Sequence, residues 1–191
     1  MSIGVGAQQA GQDDQLEPWL TGHLTLPNPR QLDAAAAEAV YGELVDKMLA
    51  RYRITGDPVA EAYLDWPRFN TAPYLSALHG NRYVNNYANN PDYGLFGAGL
   101  PLATGTIVAK DAFTVMDDGR MFPGPLMIME KMAPGYDPDG GDWRYTMILP
   151  DGTVFGTSNG QGAENVENCK ACHAAVADRD FLYFMPEEFR P

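Results

Sequence analysis

The sequence predicts an α+β protein: an antiparallel β-sheet meander, preceded by N-terminal helices and followed by a C-terminal helix. Two observations carry this prediction. Short β-type runs separated by turn residues fill the chain from Arg82 to residue 156, and segments with helical spacing lie on both sides of them. A chain of 191 residues is long enough for one ordinary domain and too short for two large ones. We therefore expect a single domain over 28–191 after a flexible lead over 1–27.

The lead is rich in Gly, Gln, Asp and Pro. Its residues 5–7, Val-Gly-Ala, resemble the small-residue pattern at which signal peptidase cuts. Two interpretations stay open on these residues alone: the remnant of an export signal, or an unstructured cytoplasmic N-terminus.

A helical extension over 28–57 comes next. Asn28-Pro29 is typical of a helix start, and Gly56 of a helix end. Between them, apolar residues recur at a spacing of four: Leu32, Ala36, Val40, Leu44, Met48 and Tyr52. Asp57-Pro58 repeats the start signal and predicts a short helix that stops at Trp66, before Pro67.

The predicted strands alternate with turn-forming sequences. The turns are MDDGR, YDPDGGD and LPDGT. The strands are RYVNNYA (82–88), TIVAKDAFTV (106–115), PLMIMEKM (125–132), WRYTMIL (143–149) and TVFG (153–156). A last helix, over about 163–176, would carry both cysteines of the chain.

Composition narrows the class of protein. Hydrophobic residues make up 45% of the chain and aromatic residues 11%, while no apolar run reaches the roughly 18 residues of a spanning helix. We therefore expect a soluble globular protein. The net charge of −12 disfavours nucleic acid and anionic membranes as partners, and favours basic proteins or cations.

The segment Cys169-Lys170-Ala171-Cys172-His173 fits the attachment site of one haem c. On a helix, both thiols can add to the haem vinyl groups while the histidine is directed at the iron as a metal ligand. A thioredoxin-like dithiol would need a βαβ context, a zinc site would need further ligands, and a disulfide across two residues would be strained. Because haem c is attached outside the bacterial cytoplasmic membrane, the motif also predicts a periplasmic location.

Motifs in collinear order over about 60–186 resemble the cytochrome P-460 family. TGTIVAKD matches the Gly-Thr-Val-x-Val-Lys-Glu stretch of the family, with Lys110 at its lysine and Asp111 where glutamate is usual. The other matching positions are Tyr63 and Trp66, RYVNNYAN from Arg82, Glu130 in MIMEKM, Trp143 in GDWRY, and the ending CKACHAAVADRDFLYFMP through Asp180 and Phe184.

The resemblance implies a mono-haem c-type cytochrome, usually a homodimer, with His173 on one side of the iron and the other side open. The type members of the family oxidise hydroxylamine, together with nitric oxide, to nitrous oxide and pass electrons to a redox-partner cytochrome. For this chain, the net charge favours a basic partner. In the type members a lysine is bonded to the porphyrin edge, and Lys110 is at the matching position of this chain. Relatives of the cytochrome c′-beta kind lack that bond and bind nitric oxide or carbon monoxide without oxidising hydroxylamine.

Four side chains are candidate catalytic residues. Lys110 is expected at the haem edge, with an ordinary exposed strand lysine as the alternative. Asp111 falls on the other strand face, among apolar residues, so it lies near a strand end or is functional. Glu130 shares a face with apolar neighbours and is expected to accept protons from hydroxylamine, the alternative being a cross-strand ion pair. Arg82 would position the ligand or a haem propionate, or else lie at a solvated strand end.

Two further residues could close the iron to ligands. His79 would give a bis-histidine haem, and Met185 would give a histidine-methionine haem. Either sixth ligand would abolish the chemistry of small ligands and leave an electron carrier.

Overall fold

A computed structural model of the chain describes residues 25–26, 28–95 and 101–191. These residues form three α-helices and one seven-stranded antiparallel sheet, which confirms the predicted α+β class. Within them, no helix combines the length and apolar character needed to cross a membrane. The predicted lead over 1–27 lies almost entirely outside the described residues.

The sheet is a meander, as predicted. The strands are β1 (Tyr74–Ser76), β2 (Arg82–Ala88), β3 (Ile107–Val115), β4 (Met121–Pro123), β5 (Leu126–Lys131), β6 (Trp143–Ile148) and β7 (Val154–Thr157). Their order in the sheet is β1-β2-β3-β5-β6-β7, and the short strand β4 pairs with β3 beyond the end of β5.

The first helix begins later than the sequence predicted. Helix α1 spans Ala34–Tyr52, and the side chain of Asp33 caps it by accepting a hydrogen bond from the Ala36 amide at 2.8 Å. Asn28 has φ of 46°, which differs from the extended backbone of a helix N-cap. Pro29 instead forms a β-bridge with Met116. The chain before Asp33 therefore pairs with the end of β3 instead of starting the helix.

The second helix, α2 (Pro58–Ala62), starts where predicted. Asp57 caps it by accepting from the Val59 amide at 2.8 Å. A single 3₁₀ turn continues it to Asp65, so the helical segment stops at Trp66 as expected.

The sheet separates two cores. On the helix face, α1 and α2 cover β2, β3 and β5. The opposite face of the sheet borders a cavity and is called the cavity face, and the C-terminal segment packs over it. Alternation in β3 assigns its residues as predicted: Ala109 and Phe113 belong to the helix face, and Val108 and Ala112 to the cavity face.

The C-terminal helix is shorter than the predicted 163–176. Helix α3 spans Glu167–His173, with 3₁₀ turns before and after it. The following turn is kinked at Val176, where φ is −125°. The helix that carries both cysteines therefore ends at the histidine of the motif.

Candidate functional site

A cavity of about 250 Å³ lies between α3 and the cavity face of the sheet. Apolar side chains from β3, β5 and β6 form much of its wall. Its reactive and polar lining includes Cys169, Cys172 and His173 from the α3 segment, Lys110 from β3, His79 from the turn after β1, and Tyr145 from β6. The fold thus brings the cysteine motif and Lys110 into one cavity, although about 60 residues separate them in sequence.

The orientation of His173 is defined by one hydrogen bond. Its Nδ1 lies 2.6 Å from the carbonyl oxygen of Phe181. A carbonyl oxygen can only accept, so Nδ1 carries the proton and Nε2 carries the lone pair that could bind a metal. The rings of Tyr145 and Tyr183 meet the imidazole edge-on, each with centroids 5.5 Å away. The imidazole is therefore held in one tautomer and one orientation.

The carbonyl of Phe181 is positioned by an unusual backbone turn. Asp180 and Phe181 both have positive φ, 53° and 63°. The turn is fastened to the sheet because the Asp180 carboxylate pairs with Lys131 and its carbonyl accepts from Trp143 Nε1 at 2.8 Å. Both partners in that fastening are largely buried. Trp143 and Asp180, which match the motifs of the family resemblance, thus help to fix the orientation of His173 through the backbone of this turn.

The two cysteines lie on one helical turn and are not joined in a disulfide. Cys169 is partly buried, and this burial raises the pKa of its thiol to about 11. Cys172 is exposed. Between them, Lys170 donates to Asp137 at 2.7 Å and so ties α3 to the loop before β6. Both sulfurs border the same cavity as His173.

Lys110 is buried, with 9% of its surface exposed, so the alternative of an ordinary exposed strand lysine is wrong. Its Nζ lies 3.4 Å from Nε2 of His79. Burial lowers the pKa of Lys110 to about 8, so part of the amine is neutral near neutral pH.

Glu130 does not line the cavity. It faces Arg144 across β5 and β6, and the two side chains form an ion pair. This is the cross-strand alternative that the sequence left open, and Arg144 satisfies the carboxylate that the apolar neighbours would have desolvated. The position of Glu130 gives no support to the predicted role as proton acceptor.

Asp111 is also directed away from the cavity. Its carboxylate is fully buried on the helix face, where it accepts from Tyr41 at 2.7 Å, Tyr63 at 3.2 Å and Asn85 at 3.0 Å. Burial raises its pKa to about 6 even though these hydrogen bonds oppose the shift. The predicted catalytic role is thus replaced by a structural one, in which Asp111 joins α1 to the sheet.

Arg82 and Met185 are buried near the cavity without lining it. The guanidinium of Arg82 donates to the carbonyl oxygen of His79 at 3.1 Å, and burial lowers its pKa to about 10. Arg82 is therefore neither at a solvated strand end nor in the cavity. Met185 is 1% exposed in the core of the cavity face. It does not line the cavity, where a sixth ligand of the iron would have to lie.

Sequence reasoning missed two polar residues of the site. Ser76 lies 2.8 Å through its Oγ from Nδ1 of His79. Tyr145 is 3% exposed, and its hydroxyl has no hydrogen-bond partner among the described residues. Alternation along β6 places Tyr145 on the face of Trp143 and Met147, yet no local signal shows that this face borders a cavity.

Residues 60–184 match the family described as Cytochrome P460. This match covers more than half of the chain. The chain belongs to the cytochrome P460 family. The cytochrome P460 family implies a haem protein with haem c as its cofactor. No curated protein matches the chain.

The residues present fit the haem of a cytochrome P460. The cavity offers two thiols, an imidazole with its lone pair on Nε2, and apolar walls. Tyr145 lines the cavity, and its buried hydroxyl has no hydrogen-bond partner among the described residues, which leaves its proton for a bound group. Across the described ranges, no cluster of three or more His, Cys, Asp or Glu side chains is arranged to hold a metal ion.

Proposed function

We propose that this cytochrome P460 holds its haem covalently through Cys169 and Cys172, with His173 on the iron, and oxidises hydroxylamine in the periplasm. With nitric oxide as co-substrate, NH₂OH and NO give N₂O and H₂O and release one proton and one electron. The observation that best supports this proposal is the buried amine of Lys110, which lies in the cavity that the cysteine motif borders. When bound, the haem iron supplies a site for the substrate nitrogen and an acceptor for the electron.

Lys110 would be the third covalent attachment. Its lowered pKa makes the nucleophilic neutral amine accessible near neutral pH. A bond to a porphyrin carbon replaces one N–H and one C–H by C–N, and gives two protons and two electrons to an oxidant such as hydrogen peroxide. The strand fixes the backbone of Lys110 through pairing with both β2 and β5, so the amine is presented from a rigid element.

Other side chains would orient and shield the reaction. The bond from His173 to Phe181 holds the imidazole in one orientation and would raise its basicity as the iron ligand. Val108, Met127 and Met129 line the cavity beside Lys110 and exclude water from it. The released electron would pass to a redox-partner cytochrome, and the net charge of −12 favours a basic one.

A second candidate function has its own supporting observation. Glu130 is paired with Arg144 outside the cavity, so the cavity lacks the carboxylate that the sequence predicted for proton transfer. An apolar cavity of this kind suits a gas-binding or electron-transferring cytochrome of the c′-beta kind. In that case Lys110 would be a polar wall residue without a bond to the haem.

One comparison separates the two functions. The holoprotein, its Lys110→Ala variant and a control variant, Lys47→Ala, are measured for their ferrous spectra and for hydroxylamine-dependent reduction of an added oxidant. Lys47 is exposed on α1, which covers the other face of the sheet. We expect wild type and the control to show a Soret band far to the red of ordinary haem c, a haem-lysine cross-link by mass spectrometry, and turnover. Lys110→Ala should lose all three.

An ordinary c-type Soret band in wild type, or full turnover in Lys110→Ala, would overturn the enzymatic proposal. Nitric oxide binding without hydroxylamine oxidation would then support the gas-binding function.

A further inference from the structure

The turn between β1 and β2 places an imidazole in the cavity wall. His79 is half-buried, so its ring borders the cavity and is also close to solvent. Leu78, next to it, is 61% exposed. A proton taken up at this position has a short path out of the cavity.

The turn that carries His79 is held from two sides. Arg82, buried on β2, donates to the His79 carbonyl at 3.1 Å. The Leu26 amide donates to the carbonyl of Gly80 at 3.0 Å, and the side-chain amide of Asn81 donates to the carbonyl of Leu26 at 3.1 Å. The position of the ring is therefore set by buried contacts of the fold rather than by the surface turn alone.

Both nitrogens of the ring have polar neighbours on the strands. Ser76 Oγ lies 2.8 Å from Nδ1, and Lys110 Nζ lies 3.4 Å from Nε2. A serine hydroxyl can accept from an N–H, which favours the tautomer with the proton on Nδ1. Nε2 then presents its lone pair to the amine of Lys110 inside the cavity.

We propose that His79 is the proton acceptor of this cavity, taking protons at Nε2 while Ser76 holds the proton on Nδ1. This inference rests on the proposed function, because the protons in question are those released from hydroxylamine. The proton leaves the substrate, binds Nε2 to give the imidazolium, and passes to solvent from the half-buried ring. His79 thereby takes the role that the sequence had suggested for Glu130, which is paired with Arg144 instead.

Several titratable groups surround His79 in the structure. Lys110 faces it from β3, and Arg82 bonds to its backbone from β2. The remaining titratable groups of the cavity wall are Tyr93, Tyr145, Cys169, Cys172, His173 and Tyr183. Lys110 is the side chain among them that contacts the ring of His79 directly, through its Nζ.

The kinetic test compares the wild-type holoprotein with His79→Gln and Ser76→Ala. General base catalysis predicts that His79→Gln lowers hydroxylamine-dependent turnover by about 10²-fold and removes the acidic limb of its pH profile. Ser76→Ala, which affects only the tautomer, should cost about tenfold. Unchanged nitric oxide binding and an unchanged Soret band would show that the haem site is intact. Full turnover with an unaltered pH profile in His79→Gln would overturn the proposal.

A second measurement does not depend on turnover. In the diamagnetic ferrous carbonyl form, ¹⁵N spectra of histidine-labelled protein report which ring nitrogen carries the proton, and His79→Gln identifies the signal. We expect the Nδ1–H tautomer in wild type. The Nε2–H tautomer, or a low-spin ferric spectrum that disappears in His79→Ala, would contradict the proposal. If wild type fails to oxidise hydroxylamine, the proposed function fails and these spectra alone decide the role of His79.

Discussion

His173 and Phe181 are joined by a hydrogen bond of 2.6 Å from the imidazole Nδ1 to the backbone carbonyl oxygen. Because the carbonyl can only accept, this bond selects the tautomer whose Nε2 can bind iron. The ring is thus oriented by a backbone atom eight residues further along the chain. Groups that fasten residue 181 therefore act on the proposed iron ligand without touching it.

Gly141 leaves room for the ring of Phe181. It has φ of 64°, and a Cβ at this position would overlap the ring of Phe181. Gly141→Ala should therefore cost both backbone strain and displacement of that ring, about 2 to 4 kcal/mol in the free energy of unfolding. Gly135→Ala is the matched control, since Gly135 has φ of 93° with open space around its Cβ. Denaturant titration should show Gly141→Ala as clearly the less stable variant; equal losses would contradict the contact with Phe181.

The ion pair between Asp180 and Lys131 fastens the same turn. Only 11% of the Lys131 side chain and 10% of the Asp180 side chain are exposed. The Asp180 carboxylate also accepts from the Leu102 amide at 2.8 Å. Asp180→Ala leaves a buried lysine unpaired and should destabilise the fold by about 3 kcal/mol or more. Asp118→Ala breaks an exposed pair with Arg120, which water and salt screen, and should destabilise the fold far less. A double variant, Asp180→Ala with Lys131→Met, should recover part of the loss, and similar losses for the two single variants would argue against the anchoring role.

Tyr41 links α1 to the sheet through Asp111. Its hydroxyl donates to the carboxylate at 2.7 Å and lies 2.7 Å from the hydroxyl of Tyr87. Tyr41→Phe should cost about 1.5 to 3 kcal/mol, because it removes a bond to a buried acid. Tyr52→Phe, which removes a 2.7 Å bond to the neutral carbonyl of Gly124, should cost about 1 kcal/mol. Thermal unfolding of both variants checks the order, and the reverse order would show that Asp111 does not depend on α1.

Asp111 should make stability depend on pH. Burial raises its folded pKa from 3.8 to about 6, so between these values the folded state binds more protons than the unfolded state. The raised pKa therefore adds about 3 kcal/mol to the free energy of unfolding below about pH 4. This contribution is lost as the pH rises through 6. Asp111→Asn removes this titration. The stability of wild type relative to Asp111→Asn should fall between pH 4 and 7, and a constant difference would contradict the raised pKa.

Much of the fold could be predicted from the sequence because its signals are local. Alternation in β3 separated Lys110 from Asp111 correctly, since successive strand residues point to opposite faces. The start of α1 was predicted too early because Asn28-Pro29 imitates a cap. The true cap is Asp33, because residues 29 and 30 pair with the end of β3 instead of starting the helix.

The motif predicted that Cys169, Cys172 and His173 act together, and the structure places all three on the wall of one cavity. The site could not be predicted where a partner comes from another strand. Glu130 looked desolvated from its own strand, and only the register with β6 reveals Arg144 opposite it. Ser76 and Tyr145 gave no signal, because their importance follows from the cavity that distant segments enclose.

Covalent haem in this cavity is the central claim, and extraction of the exported holoprotein with acidified organic solvent tests it most directly. Wild-type protein, produced with the haem-attachment machinery, should keep its pigment with the chain. Cys169→Ala and Cys172→Ala together should release whatever pigment they bind. A wild-type protein that purifies colourless, or whose pigment is extracted completely, would contradict the account.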